Sequence, residues 1–302
     1  MQHLRLIGNS ICFIFIIFLL SGGYNFAFPL AIVVQGVGIP PYNKVFKGIK
    51  DSFDSNTQRI ILYEYKKDIK KYVEKKRPQI LFAIGEWALS ELASIRDIPV
   101  IYLMVLNPDI LIQGKKNFAG INMVVSAKTN LYYIKKFIPK VKCVGMIYDP
   151  RHSRNLFKEL LAAGKNAHLC IVGKKVVTLK QAIKAIDWIS DKIDVYIMAP
   201  DITVISPETL RFMNFFFLKK SIPIVTFSEK YLKMGAFMAI YPDPYKMGIQ
   251  AGELAKKILK KEVKLPVKLK PNSKLIMINP HVAKDLGLKL ESTSSIRMVV
   301  NE

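Results

Sequence analysis

Short apolar runs alternate with amphipathic stretches along almost the whole chain. Leu30 to Gln35 has the length and composition of a buried strand. Residues 42–53 follow, with Val45, Phe46, Ile49 and Phe53 at the spacing of one helix face. The same reading predicts strands at 59–63, 79–84, 100–105, 141–148, 168–172 and 195–199. Helices are expected at 66–76, 87–95, 128–137, 155–163 and 180–189. Strands that alternate with helices indicate parallel sheets with right-handed crossovers. The number of strands is too large for one small sheet. The expected fold class is therefore α/β, with two doubly wound parallel-sheet lobes.

The segment 197–259 is the most informative. Its first strand ends at Asp201 and Thr203, and a helix opens at Ser206, Pro207 and Glu208. A second strand, 223–227, ends at Ser228 and Glu229. A third, 236–241, ends at Tyr241, Pro242 and Asp243, and another helix begins. Earlier strands end in the same way, at Gly36 and Gly38, Glu86 and Trp87, Asn107, Asn122, and Asp149 with Ser153. Ligands bind outside the carboxyl ends of the strands of such sheets. Taken one at a time, these residues are also what helix caps use. Their recurrence predicts a cleft that holds a small polar ligand, with aromatic groups in its wall.

Length and composition add bounds. The chain has 302 residues, enough for two domains, and its 51% apolar and 23% charged content is that of a globular protein. The net charge of +23 raises nucleic acid as a partner. Lysine supplies most of that charge, spread over many helices, whereas base readout favours arginine. Solvated helix faces are the expected reading, with attraction to an anionic membrane surface second, and no nucleic-acid partner is expected.

Arg5, the apolar run 11–20 and the small residues 21–23 have the layout of an export signal, assigned to residues 1–27. An uncleaved anchor is the alternative, because no charge occurs between Arg5 and Lys44. Cys12 lies in that segment. Cys143 and Cys170 sit in apolar strand-like runs and are expected to be buried free thiols, though an exported protein permits a disulfide.

Local motifs for chemistry are missing. Gly36 and Gly38 begin a dinucleotide fingerprint, but position 41 is proline, and the second strand ends in Tyr63, Glu64 and Tyr65. The pair instead suggests a tight turn with backbone N–H groups near a ligand. No GxxxxGK[ST], GxSxG, HExxH or CxxC sequence occurs. Neither a cofactor nor a metal is expected, and no catalytic residue is assigned.

Several stretches resemble a known family. SPETL, IPIVTFSEKYLKMGA, YPDPYKMGIQAGELAKKIL and GINMVVSAKTNLYYIKKFIPKVKCVGMIYDPRHSRN look like the substrate-binding proteins of ABC transporters. The branch resembled is the one that binds tryptophan and other aromatic amino acids. The resemblance covers roughly residues 98–288. It implies a type I periplasmic-binding fold, whose two lobes are joined by crossing strands and close about a hinge. Lobe one would hold 28–121 plus 243–262, and lobe two 122–242 plus 263–302, with crossings near 120–123 and 241–244. It further implies a monomer that captures a small ligand and delivers it to an ABC permease. The location would be the periplasm or the outer face of the cytoplasmic membrane. A ligand-sensing receptor feeding a membrane signalling protein is the alternative, ahead of an enzyme.

The expected ligand contacts are Gly36, Gly38, Glu86, Trp87, Asn107, Asn122, Asp149, Ser153, Asp201, Thr203, Ser228, Glu229, Tyr241 and Asp243. One departure stands out. The family's turn after the third strand is usually small and rich in Ala, Thr and Pro, whereas here it is Gly85, Glu86, Trp87. A carboxylate there occupies the place where a ligand anion would gain from the helix dipole. Glu86 is therefore expected to accept from a ligand amine or to cap its own helix, with Trp87 stacking beside the ligand.

Overall fold

Residues 30–53, 56–288 and 296–298 are described by a computed structural model. The export-signal segment and Cys12 lie outside the described residues.

Among the described residues, thirteen strands form two sheets. The first contains β1 (Leu30–Gln35), β2 (Asn56–Ile61), β3 (Ile80–Ile84), β4 (Val100–Leu103), β5 (Phe118–Ile121) and β11 (Val267–Leu269). Its order is β11-β5-β4-β3-β1-β2, and every pair is parallel. The second contains β6 (Cys143–Tyr148), β7 (Cys170–Lys175), β8 (Val195–Ile197), β9 (Ile224–Thr226), β10 (Met238–Pro242), β12 (Lys274–Ile278) and β13 (Ile296–Met298). Its order is β13-β12-β10-β9-β8-β6-β7, with only the β10–β12 pair antiparallel.

The continuous apolar strands follow from burial on both faces. In β1, Ala31 and Val33 enter the core shared with α1 (Pro40–Ser52) and α9 (Pro244–Leu259). Ile32 and Val34 enter the opposite core, beneath α2 (Ile69–Lys76), α3 (Glu86–Leu92) and the short α4 (Asp109–Ile112). All four are fully buried. Each of the larger ones contributes roughly 1.5–3 kcal/mol on transfer from water. The second sheet is covered likewise. On one side lie α5 (Ala127–Phe137) and α6 (Arg154–Ala167); on the other lie α7 (Leu179–Ser190), α8 (Pro207–Lys219) and a 3-10 turn (Glu229–Met234).

Helix α9 follows a strand of the second sheet yet packs on the first. Its partner is α1, and the two backbones nearly touch. A Cβ on Gly48 would lie 2.1 Å from the Tyr245 carbonyl oxygen, and one on Gly248 would lie 2.1 Å from that of Val45. Only glycine at both positions permits this approach.

One expected boundary needs correction. Residues 263–302 are expected in lobe two. Instead β11 pairs with β5 in the first sheet, with Val267 opposite Ala119. Among the described residues the chain therefore crosses three times: after Ile121, at Asp243, and between Leu269 and Lys274. The crossings lie side by side. The Asn122 N–H donates to Leu269 O at 2.9 Å, and the Asp243 N–H to Ser273 O at 3.3 Å. The Gln250 side chain, on α9, bonds Lys270 O at 2.9 Å and the Asn272 N–H at 3.2 Å.

Candidate ligand-binding site

Two cavities flank the crossings, and Leu106 and Met123 line both. The larger has a volume of about 670 Å³. Lobe one gives it the start of α1, including Tyr42 and Lys44, together with Glu86 and Met104. Lobe two faces these with Phe227, Ser228, Glu229, Lys230 and Tyr241. The wall thus carries three aromatic rings and charges of both signs on each side.

The local sequence explains these placements. Pro40 and Pro41 open α1, where a missing N–H has no helical partner to lose, and so set Tyr42 in its first turn. Gly85 has φ 92°, and a Cβ there would meet the Tyr42 ring at 2.6 Å. The ring therefore lies directly against the turn that bears Glu86. Burial, and then the nearby Glu86 carboxylate, raise the Tyr42 pKa. Glu86 occupies the first turn of α3, where the helix dipole favours an anion. On the facing lobe, the Tyr241 hydroxyl donates to Glu229 Oε2 at 2.6 Å. Met277, on β12, completes that corner.

The smaller cavity, about 470 Å³, is polar. Asn107, Asn122, Ser126, Arg151, His152 and Lys274 are among its lining residues.

The expected contacts divide into groups. Glu86, Ser228, Glu229 and Tyr241 line the larger cavity, and Asn107 and Asn122 the smaller. Gly36 and Gly38 line neither. The Gly36 N–H, expected near a ligand, instead donates to Ile84 O at 3.1 Å. Trp87 also lines neither, and its indole N–H donates along α3 to Glu91 at 3.3 Å. Asp243 caps α9, accepting from the N–H groups of Tyr245 and Lys246.

Asp149, Ser153, Asp201 and Thr203 form a network within lobe two. Asp149 and Asp201 are fully buried. Asp201 accepts from the Asp149 N–H at 2.7 Å, the Thr203 N–H at 3.0 Å and the Ser153 hydroxyl. Asp149 accepts from the Arg151 guanidinium and from Thr203 Oγ1 at 2.7 Å. Hydrogen bonding to Arg151 is the main cause that holds the Asp149 carboxyl far below the usual carboxylate range. These acids brace the strand ends of β6 and β8 against each other.

Sequence reasoning missed Tyr42, Lys44, Phe227 and Lys230. Their signal was available in part: Tyr42 and Lys44 open the helix after β1, and Phe227 and Lys230 border the turn after β9. The two cysteines also depart from expectation. Cys143 is half-buried and Cys170 exposed, rather than both buried.

The family model for ABC transporter substrate binding proteins matches residues 42–297. The chain belongs to that family. Among curated proteins, this substrate binding protein is 26% identical over 244 residues to a tyrosine-binding protein of Clostridioides difficile, covering 77% of this chain and 69% of the relative. Among solved structures, it is similar to a ligand-free, open substrate binding protein with adhesive properties from Clostridium difficile. That likeness has a TM-score of 0.70 and 21% identity, over 91% of this chain and 100% of the other. A domain from Streptococcus pneumonia, solved in complex with L-Trp, gives a TM-score of 0.62 and 20% identity over 90% and 99% of the two chains. The fold is that of type I periplasmic binding proteins, and the protein is a solute-binding receptor.

Proposed function

We propose that this substrate binding protein captures an aromatic amino acid in the larger cavity and presents it to an ABC permease from outside the cytoplasm, acting as a monomer without chemistry of its own. The observation that carries the reading is the pairing across that cavity. Tyr42 and Glu86 on one lobe face Phe227, Glu229 and Tyr241 on the other. An aromatic amino acid needs an apolar slot for its ring, an anion for its ammonium and a cation for its carboxylate. The rings of Tyr42, Phe227 and Tyr241 offer the slot. Glu86 and Glu229 offer acceptors for the ammonium, while Lys44 and Lys230 offer cations for the carboxylate. The tyrosine-binding relative and the L-Trp-bound neighbour support the same ligand class. The three bonded crossings suit a hinge that lets the lobes close over the ligand.

Native mass spectrometry of protein purified without unfolding tests the proposal. The expected result is a co-purifying amino acid, released by denaturation and identified by mass. Protein that carries none, and whose thermal midpoint no amino acid raises, would refute it.

A further inference from the structure

The start of the β6–β7 pair, at the end of the second sheet away from the cavity, brings the two described cysteines together. The strands are in parallel register, and Cys143 stands directly opposite Cys170. Registered partners place their side chains on the same sheet face, on strands about 4.8 Å apart. That separation lies within the Cα range of disulfides, roughly 4.4–6.8 Å. The backbone on both sides is fixed. Asp194 Oδ2 accepts from the N–H groups of Lys142 and Cys143, each at 2.8 Å, and the Cys170 N–H donates to Lys142 O at 2.8 Å. Cys170 is exposed on the edge strand, so an oxidant can reach it.

We infer that Cys143 and Cys170 are a disulfide-forming pair that links the edge strand β7 to β6. The reaction partner is a low-molecular-weight disulfide, such as oxidised glutathione, or a dithiol oxidase of an oxidising compartment. The Cys170 thiolate attacks one sulfur of the reagent and releases one glutathione thiolate. The Cys143 thiolate then attacks the Cys170 sulfur and releases the second. Two protein thiols are oxidised, and their two protons pass through solvent to the two released glutathione thiolates, so one disulfide is reduced to two thiols. Cys170 is the more exposed of the two and so meets the reagent first, while burial, and then the adjoining Cys170 thiol, push the Cys143 thiol up. The link closes a loop containing α6 and restricts the unfolded chain, so the oxidised form is expected to be the more stable.

The test uses the full chain in a Cys12→Ser background, so that only these two thiols remain. The reduced protein is treated with oxidised glutathione while folded and analysed by mass spectrometry without reduction. The expected product is a monomer lighter by two hydrogens, with the peptides of Cys143 and Cys170 joined and a higher thermal midpoint. The Cys143→Ser variant is expected to stop at a stable glutathione adduct on Cys170. A product of the Cys12→Ser protein that keeps glutathione on Cys170, retains a free Cys143 thiol, or links two chains would overturn the inference. The pair lies away from the ligand cavity, so amino-acid affinity is expected to be equal in the two redox forms. Failure of this proposal therefore leaves the binding function untouched, and the reverse also holds.

Discussion

Tyr241, at the end of β10, donates its hydroxyl to Glu229 across the lip of the larger cavity, with 2.6 Å between the oxygens. The bond fixes a carboxylate that is otherwise on the exposed start of a 3-10 turn. A held anion can accept from a ligand ammonium without first being ordered. Tyr241→Phe keeps the ring and removes the bond. It is expected to weaken amino-acid binding by roughly tenfold, the order of one hydrogen bond to a charged group. Glu229→Gln is expected to weaken it more, because the charge itself is lost. Both are read by isothermal titration calorimetry, with little change expected in the thermal midpoint of the ligand-free protein.

The turn after β3 gives a contrast between neighbours. Glu86 faces the cavity, whereas Trp87 turns along α3 toward Glu91. Glu86→Gln is expected to reduce ligand affinity, and Trp87→Ala to leave it within about twofold. A Trp87→Ala loss as large as that of Glu86→Gln would show that the indole reaches the ligand in the closed state.

The approach of α1 to α9 sets the geometry of lobe one. Gly48→Ala places a methyl group 2.1 Å from Tyr245 O. Overpacking of this kind costs about 1–3 kcal/mol, and more where backbone is the obstacle. A lowered midpoint of chemical unfolding is expected, with ligand affinity retained in the fraction that folds.

The buried Asp149 makes lobe two sensitive to acid. Its pKa is depressed in the folded protein relative to the usual 3.8, chiefly by hydrogen bonding to Arg151. A depressed carboxylate contributes stability that is fully present above its unfolded pKa and is lost as pH falls toward the folded value. Thermal midpoints of the wild type are therefore expected to decline as pH drops from about 5. Asp149→Asn is expected to start lower at neutral pH and to show a shallower decline. Equal slopes would assign the acid sensitivity to other groups.

Much of the architecture was legible because parallel strands buried on both faces leave unbroken apolar runs. Leu30–Gln35 coincides with the expected strand, and the capping Ser206 and Pro207 marked the start of α8. The failures have identifiable causes. Strand β5 contains Gly120, which leaves room for the Tyr102 ring on β4 and weakens the local strand signal. Strand β11 has three residues and owes its existence to pairing with β5, which no local pattern reveals. That is why the third crossing was missed. At the site, the polar strand ends were readable as a set, but not which of them face a ligand. Asp243 caps a helix, and Asp149 and Asp201 satisfy each other's surroundings, while Glu86 and Glu229 face the cavity. Those roles depend on how the strand ends of the two lobes meet, which is tertiary information.

Binding of an aromatic amino acid between the lobes is decided by titration calorimetry of ligand-stripped protein with tyrosine, tryptophan and phenylalanine. One-to-one binding of at least one of them is expected, weakened by Glu86→Gln on one lobe and by Glu229→Gln on the other. No binding heat from any of the three, or binding that neither substitution alters, would contradict it.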